Sequence, residues 1–164
     1  MNNNDLLREY SFDGFTISTD KQKIDLEAVH QYLGGESYWA KNIPFETVKR
    51  SIDHSICLGA YTSDGSLAGF ARLVTDQATF GYICDVFVLS TYRGKGISKC
   101  MMKVLCELAD EFKLRRLLLV TQDAHGLYRQ NGFETYAFPE RMMSRKGGCL
   151  LEIGAMSDEL RLSG

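Results

Sequence analysis

Six consecutive residues, Arg93-Gly94-Lys95-Gly96-Ile97-Ser98, have the composition of an anion cradle. Two glycines and a serine leave the main chain almost bare, so a phosphate can approach backbone N–H groups, and Arg93 and Lys95 add positive charge. Acid–base candidates flank this stretch. Upstream stands Asp85, a carboxyl group that burial can tune toward proton transfer. Downstream stands Tyr128, a phenol that is protonated at neutral pH and can donate to a departing anion. His125 has an imidazole suited to the same work, although a lone histidine is more often exposed or structural. Each residue has a plainer role open to it: solvated bases in a glycine loop, a core tyrosine, a carboxylate that binds a cation or ends a strand.

These side chains need elements to hold them. Residues 82–89 form an apolar run too short for most helices and rich in β-branched and aromatic types, which predicts a buried strand. Helical spacing begins directly after the glycines: Ile97, Met101, Val104, Leu105, Leu108, Ala109 and Phe112 share one face, and Lys99, Lys103, Glu107 and Asp110 the other. The start of that helix offers N–H groups without intrahelical partners, and its dipole favours an anion. The continuous apolar run over residues 116–121 predicts a central strand covered on both faces. Strand, helix and strand of this length make a right-handed crossover, so residues 116–121 should lie parallel to residues 82–89.

Upstream, residues 15–19 read as the first strand. A short helical pattern follows Asp20 through Ile24, Leu26, Val29, His30 and Leu33 to a stop at Gly34-Gly35, and Pro44 opens a second helix running through Val48 to Ile52. Residues 55–61 and 66–75 flank the turn Thr62-Ser63-Asp64-Gly65, and Asp76-Gln77-Ala78-Thr79 makes a second turn, so three strands form a meander. Asp123 is expected to cap a short helix that includes Leu127 and Tyr128 and ends at Asn131-Gly132; residues 133–138 and 141–144 then finish as strands.

The 164-residue chain has room for one domain with a proper core, placed at residues 1–146, with residues 147–164 as a C-terminal extension. Within the extension, residues 150–153 read as an added strand or as a contact with a neighbouring chain. Hydrophobic content of 45% with 24% charged residues is that of a soluble globular protein, and a net charge of −2 gives no general attraction for nucleic acid. The N-terminus lacks a signal-peptide pattern and no window reaches transmembrane length, so a cytoplasmic protein without a membrane partner is expected. Five cysteines, odd in number and without a Cys-x-x-Cys pair, read as reduced thiols, and the three histidines show no metal spacing.

The pattern Arg-x-x-Gly-x-(Gly/Ala), after an apolar strand and opening an amphipathic helix, resembles the acyl-coenzyme A pyrophosphate loop of the GNAT superfamily of N-acetyltransferases; Ser98 stands where that pattern usually has Gly or Ala. Residues 123–133 resemble the family's A-x-x-(L/F)-Y-x-x-x-G-F signature. Ser37-Tyr38-Trp39-Ala40-Lys41, the GFARxxTD pattern of residues 69–76 and Asp85-Val86-Phe87-Val88 resemble a branch of small bacterial members. The resemblance implies an α/β domain of the GNAT fold, with a mixed, mostly antiparallel central sheet flanked by helices. It further implies an N-acetyltransferase that takes acetyl-CoA as cosubstrate and transfers its acetyl group to a primary amine of a small molecule by direct attack in a ternary complex. The backbone of Val86, Phe87 and Val88 would hold the pantetheine arm, with the Val88 N–H polarising the thioester carbonyl. Arg93, Gly94, Lys95, Gly96, Ile97 and Ser98 would hold the pyrophosphate. Tyr128 would be the acid for the departing thiolate and Asp85 the base, directly or through a water. In this fold Tyr38, Trp39 and Asp76 face the acceptor pocket, against which stand a hydrophobic plug at Trp39 and an Asx turn at Asp76. A non-catalytic acyl-CoA-binding sensor or assembly module is the second reading of the same motifs. A homodimer fits the extra tail.

Overall fold

Alternation along the central strands sends apolar side chains to both faces of one sheet, and each face has a helical cover. The structure, a computed structural model, describes residues 6–145. The chain divides into two compact units, Met1–Phe133 and Glu134–Gly164. In the first, six strands lie in chain order: β1 (Glu9–Phe12), β2 (Phe15–Ser18), β3 (Ile56–Tyr61), β4 (Leu67–Thr75), β5 (Phe80–Val88) and β6 (Arg116–Leu119). All neighbours are antiparallel except β5 and β6, which are parallel, as the crossover requires. The fold is therefore the mixed, mostly antiparallel α/β arrangement expected.

On β3, Ile56, Leu58 and Ala60 join one buried cluster while Cys57 and Tyr61 join another. The first cluster packs under helix α3 (Ile97–Glu111), whose Met101, Met102, Leu105 and Leu108 are at most 2% exposed. The second packs under helices α1 (Leu26–Gln31) and α2 (Phe45–Asp53) through Val29, Val48 and Ile52, with Leu33 just after α1, against Phe70 and Phe87. Pro44 stands at the N-cap of α2, and Asp25 caps α1 by accepting from the Ala28 N–H.

Several expectations need correction. A strand precedes residues 15–19: β1 and β2 form a hairpin around Asp13-Gly14, both at positive φ (44° and 79°), the geometry of a tight two-residue turn. Gly34-Gly35 does not stop the first helix, which continues as a wide turn over Tyr32–Glu36. Strand β6 is an edge strand among the described residues, with half-buried leucines and Val120 beyond it 82% exposed, so its apolar run does not mark a central strand. Asp123 lies one residue too early to cap helix α4 (His125–Arg129); Ala124 is the N-cap, and Thr121 Oγ1 accepts its N–H at 3.0 Å. In the second unit, no strand is found over residues 134–145. Pro139, which cannot donate to a ladder, opens a short 3₁₀ turn at Pro139–Arg141. The Arg141 guanidinium lies 4.0 Å from the Phe138 ring centre, a local contact within that turn. The proposed strand at residues 150–153 and the rest of the extension lie outside the described residues, as does residue 146. Among the described residues no helix is long and apolar enough to cross a membrane.

Replacing Leu105, fully buried between α3 and the sheet, with Ala is expected to lower stability to urea by about 2–5 kcal/mol. Lys103→Ala, on the exposed face of the same helix, should change it by no more than about 0.5 kcal/mol.

Candidate functional site

Strands β5 and β6 part company. Their parallel pairing ends at Ile83 with Leu119, while β5 continues to Val88. A cavity of about 280 Å³ opens where they diverge, walled by residues 82–86 on one side and residues 120–124 on the other, with Tyr38, Trp39 and Tyr128 completing it.

The ladder on the other side of β5 fixes what faces this gap. The Leu89 N–H donates to Ala68 O at 2.9 Å, and the next pair in, Gly69 with Val88, is a non-hydrogen-bonded one. Antiparallel pairs alternate, so the N–H and C=O of Val88 point away from β4. The Arg93 Nε, donating to Val88 O at 3.1 Å, meets that carbonyl from the outward side. The Phe87 side chain points to the core and stacks on Tyr32 with ring centres 3.8 Å apart.

One extra residue sits on β5 midway. The register with β4 steps from Phe70–Phe87 to Arg72–Cys84, and Asp85, within the step, has a positive φ of 54°. This is a β-bulge whose turning residue carries a carboxylate rather than being glycine, at a cost of about 1–3 kcal/mol in backbone strain. The Asp85 Oδ2 accepts from Arg72 Nε at 2.8 Å, with side-chain exposures of 12% and 15%, and Oδ1 accepts from the Trp39 indole N–H at 3.2 Å. Tyr38 reaches the opposite wall, where its hydroxyl accepts the Gln122 N–H at 3.3 Å. The two adjacent aromatics, in edge-to-face contact with centres 4.9 Å apart, thus tie the segment before α2 to both sides of the cavity.

Tyr128 on α4 is buried against Phe133, and burial pushes its phenol up to about 12. It therefore holds its proton throughout the neutral range. The Cys84 thiol in the same wall is pushed up to about 11 by burial, which disfavours a thiolate nucleophile.

Beyond the end of β5, Gly94 and Gly96 adopt left-handed φ values of 77° and 79°, and α3 starts at Ile97 with no side chain capping its first turn. A Cβ on Gly96 would lie 3.2 Å from Phe12 Cζ, so the β1–β2 hairpin braces this loop. The Lys95 ammonium lies over the Phe15 and Tyr92 rings at 5.7 and 5.9 Å. The Arg93 guanidinium is turned to Val88 O and, at 3.3 Å, to the Tyr32 hydroxyl. Ser98, one residue into α3, is half-buried.

Asp85, Val86, Tyr38, Trp39 and Tyr128 thus line one cavity, with Val88 and the residue 93–98 loop beyond it along β5. Asp76 is elsewhere. Its carboxylate closes the β4–β5 turn, accepting from Thr79 Oγ1 and from the backbone N–H groups of Ala78, Thr79 and Phe80, and these bonds hold it well below the usual carboxylate range. His125 is exposed at the start of α4, while His30 and His54 bond to the backbone carbonyls of Ile43 and Arg50. Among the described residues no cluster of His, Cys, Asp or Glu is arranged to hold a metal. Sequence reasoning passed over Arg72 and Tyr82; the GFAR pattern contains Arg72, but nothing in one sequence says that it meets Asp85. A larger cavity of about 520 Å³, lined by residues 19–22 and 53–57 among others, contains none of the candidate residues, so size does not locate the chemistry.

Comparison with known proteins gives a consistent result. The sequence profile described as the Acetyltransferase (GNAT) family matches residues 26–133. A crystal structure from Xanthomonas campestris pv. campestris, of a protein assigned to the GNAT family, is 42% identical, covers 84% of this chain and 96% of its own, and superposes with a TM-score of 0.79. A Gibberella zeae protein assigned as an acetyltransferase is 28% identical over 142 residues, which make up 74% of this chain and 80% of that protein. A Clostridium acetobutylicum protein assigned as an acetyltransferase, solved with acetyl-CoA, shares the fold at 19% identity and a TM-score of 0.60, covering 84% of this chain and 96% of its own.

Burial of Tyr128 is open to direct test by spectrophotometric titration of the phenols. Wild type and Tyr128→Phe should titrate alike through pH 10 and differ by one phenol near pH 12; a missing ionisation near pH 10 would show an exposed hydroxyl.

Proposed function

The chain belongs to the GNAT acetyltransferase family, and from that membership we propose that it transfers the acetyl group of acetyl-CoA to a primary amine of a small molecule, in a ternary complex. The observation that carries this reading is the gap between β5 and β6, which sets an outward-facing Val88 N–H, a protonated phenol and a carboxylate along one opening. Acetyl-CoA supplies an activated acetyl group as a thioester.

The residues fit that cosubstrate. The outward edge of β5 at Val86 to Val88 offers backbone groups to the pantetheine amides. The left-handed glycines and uncapped start of α3 offer N–H groups to the pyrophosphate, with Lys95 and Ser98 adjoining. In the proposed reaction the Val88 N–H donates to the thioester carbonyl oxygen and stabilises the negative charge that develops there. As the amine nitrogen bonds to the carbonyl carbon and the carbon–sulfur bond breaks, Tyr128 gives its proton to the leaving sulfur. The proton that the amine nitrogen loses departs toward Asp85, directly or through a water, and solvent returns a proton to Tyr128. Tyr38 and Trp39 present aromatic faces to the acceptor's ammonium group before deprotonation. No protein nucleophile is required.

Free-thiol release from acetyl-CoA across a panel of primary amines tests the proposal. Amine-dependent release that falls about tenfold or more in Tyr128→Phe is expected. Coenzyme A binding with no release for any amine would instead favour the non-catalytic acyl-CoA binder. Gly96→Val, which sets a branched side chain at a left-handed φ against Phe12, should weaken acetyl-CoA binding by about tenfold or more, read by calorimetry.

A further inference from the structure

Arg72 has no task in the transfer as described, yet it is the most firmly held cation in the site. Its Nε donates to Asp85 Oδ2 at 2.8 Å, and its Nη1 donates to Ser55 Oγ, also at 2.8 Å. The Ser55 hydroxyl in turn donates to the Ser51 carbonyl of α2 at 2.7 Å. The guanidinium is thus fixed from two directions, by β5 and by the segment joining α2 to β3. Arg72 does not line the cavity; Asp85 does.

We propose that Arg72 is a positioning residue for the acceptor: by engaging Asp85 Oδ2 it leaves Oδ1 turned to the cavity, where one N–H of the amine is received at a fixed point. In the free protein that point is taken by the Trp39 indole N–H, at the longer distance of 3.2 Å and on a residue 42% exposed. The acceptor's N–H replaces the indole there. A planar guanidinium suits this task because its rigid fork holds Asp85 and Ser55 on two separate nitrogens in a fixed geometry, whereas an ammonium is a single rotatable donor centre. The proposal rests on the acetyl-transfer reading, and the test separates the two.

Steady-state kinetics of wild type, Arg72→Gln, Asp85→Asn and the double variant would be measured beside coenzyme A binding and tryptophan emission. Trp39 is the single tryptophan of the chain, so the emission reports its contact with Asp85. Arg72→Gln is expected to raise the amine KM about tenfold or more while coenzyme A affinity stays within about threefold. The same substitution in the Asp85→Asn background should add little, since Arg72 acts through that carboxylate. Arg72→Lys, which keeps the charge, should recover part of the loss and guards against a folding artefact. Losses that multiply in the double variant, or a parallel fall in coenzyme A affinity, would overturn the proposal. Should no amine support release by wild type, the transfer reading has failed on its own. Emission then decides only whether Arg72 orients Asp85: a shift in Arg72→Gln matching that in Asp85→Asn is expected, and an unchanged spectrum overturns that orientation.

Discussion

A backbone N–H or C=O that leaves a sheet must find another partner or stay solvated, and this constraint governs the region where β5 outruns β6. Up to Ile83 the two strands share a ladder. Past it, β5 has strand bonds on the β4 side alone; the outward Val88 carbonyl is taken by Arg93 Nε, and the outward Val88 N–H is left for a ligand that can imitate a strand. The rest of the site is arranged around that gap. Helix α3 begins at its far end, α4 brings Tyr128 to its side, and the aromatic pair Tyr38-Trp39 crosses its near end.

The bulge at Asp85 shows how local strain is held in place. A non-glycine residue at a φ of 54° in mid-strand is sustained by what surrounds it: the β4 ladder on both sides and a part-buried ion pair at the side chain. Such a pair contributes little net stability, because desolvating two charges offsets much of their attraction; removing one partner, which leaves the other charge half-desolvated, is the costlier change. The geometry that the pair imposes is its larger effect. At the cavity wall, it gives the carboxylate a fixed direction.

Much of this was legible from residue order, and the parts that were not share a cause. The run into Arg93-Gly94-Lys95-Gly96, the amphipathic spacing from Ile97 to Phe112 and the parallel return at Arg116 are local patterns, and the structure has them at nearly the expected bounds. The Asp13-Gly14 turn was equally local, but its strand Glu9–Phe12 is short and half polar, with little alternation to mark it. What periodicity does not carry is pairing between distant segments. The apolar run at residues 116–119 describes the side chains of β6 and says nothing of whether a strand lies on its outer side. Asp85 can be picked out as a carboxylate on β5, but its two partners come from β4 and from the segment before α2, and one sequence holds no sign of either contact. Asp76 shows the reverse case: its spacing to Ala78 and Thr79 is that of an Asx turn, and the turn is what the structure contains.

The separations along the chain between these partners also differ in the chain entropy that each contact must overcome. Arg72 and Asp85 are 13 residues apart within one hairpin, Trp39 and Asp85 are 46 apart, and Tyr38 and Gln122 are 84 apart. Closing the longest of these loops costs roughly 1.5 kcal/mol more chain entropy than closing the shortest. The ion pair therefore belongs to the part of the sheet that can form early from neighbouring strands, while the aromatic crossing waits until β6 has docked. The direction of the carboxylate thus depends on a contact within one hairpin, and the opposite wall of the cavity on contacts across half the chain.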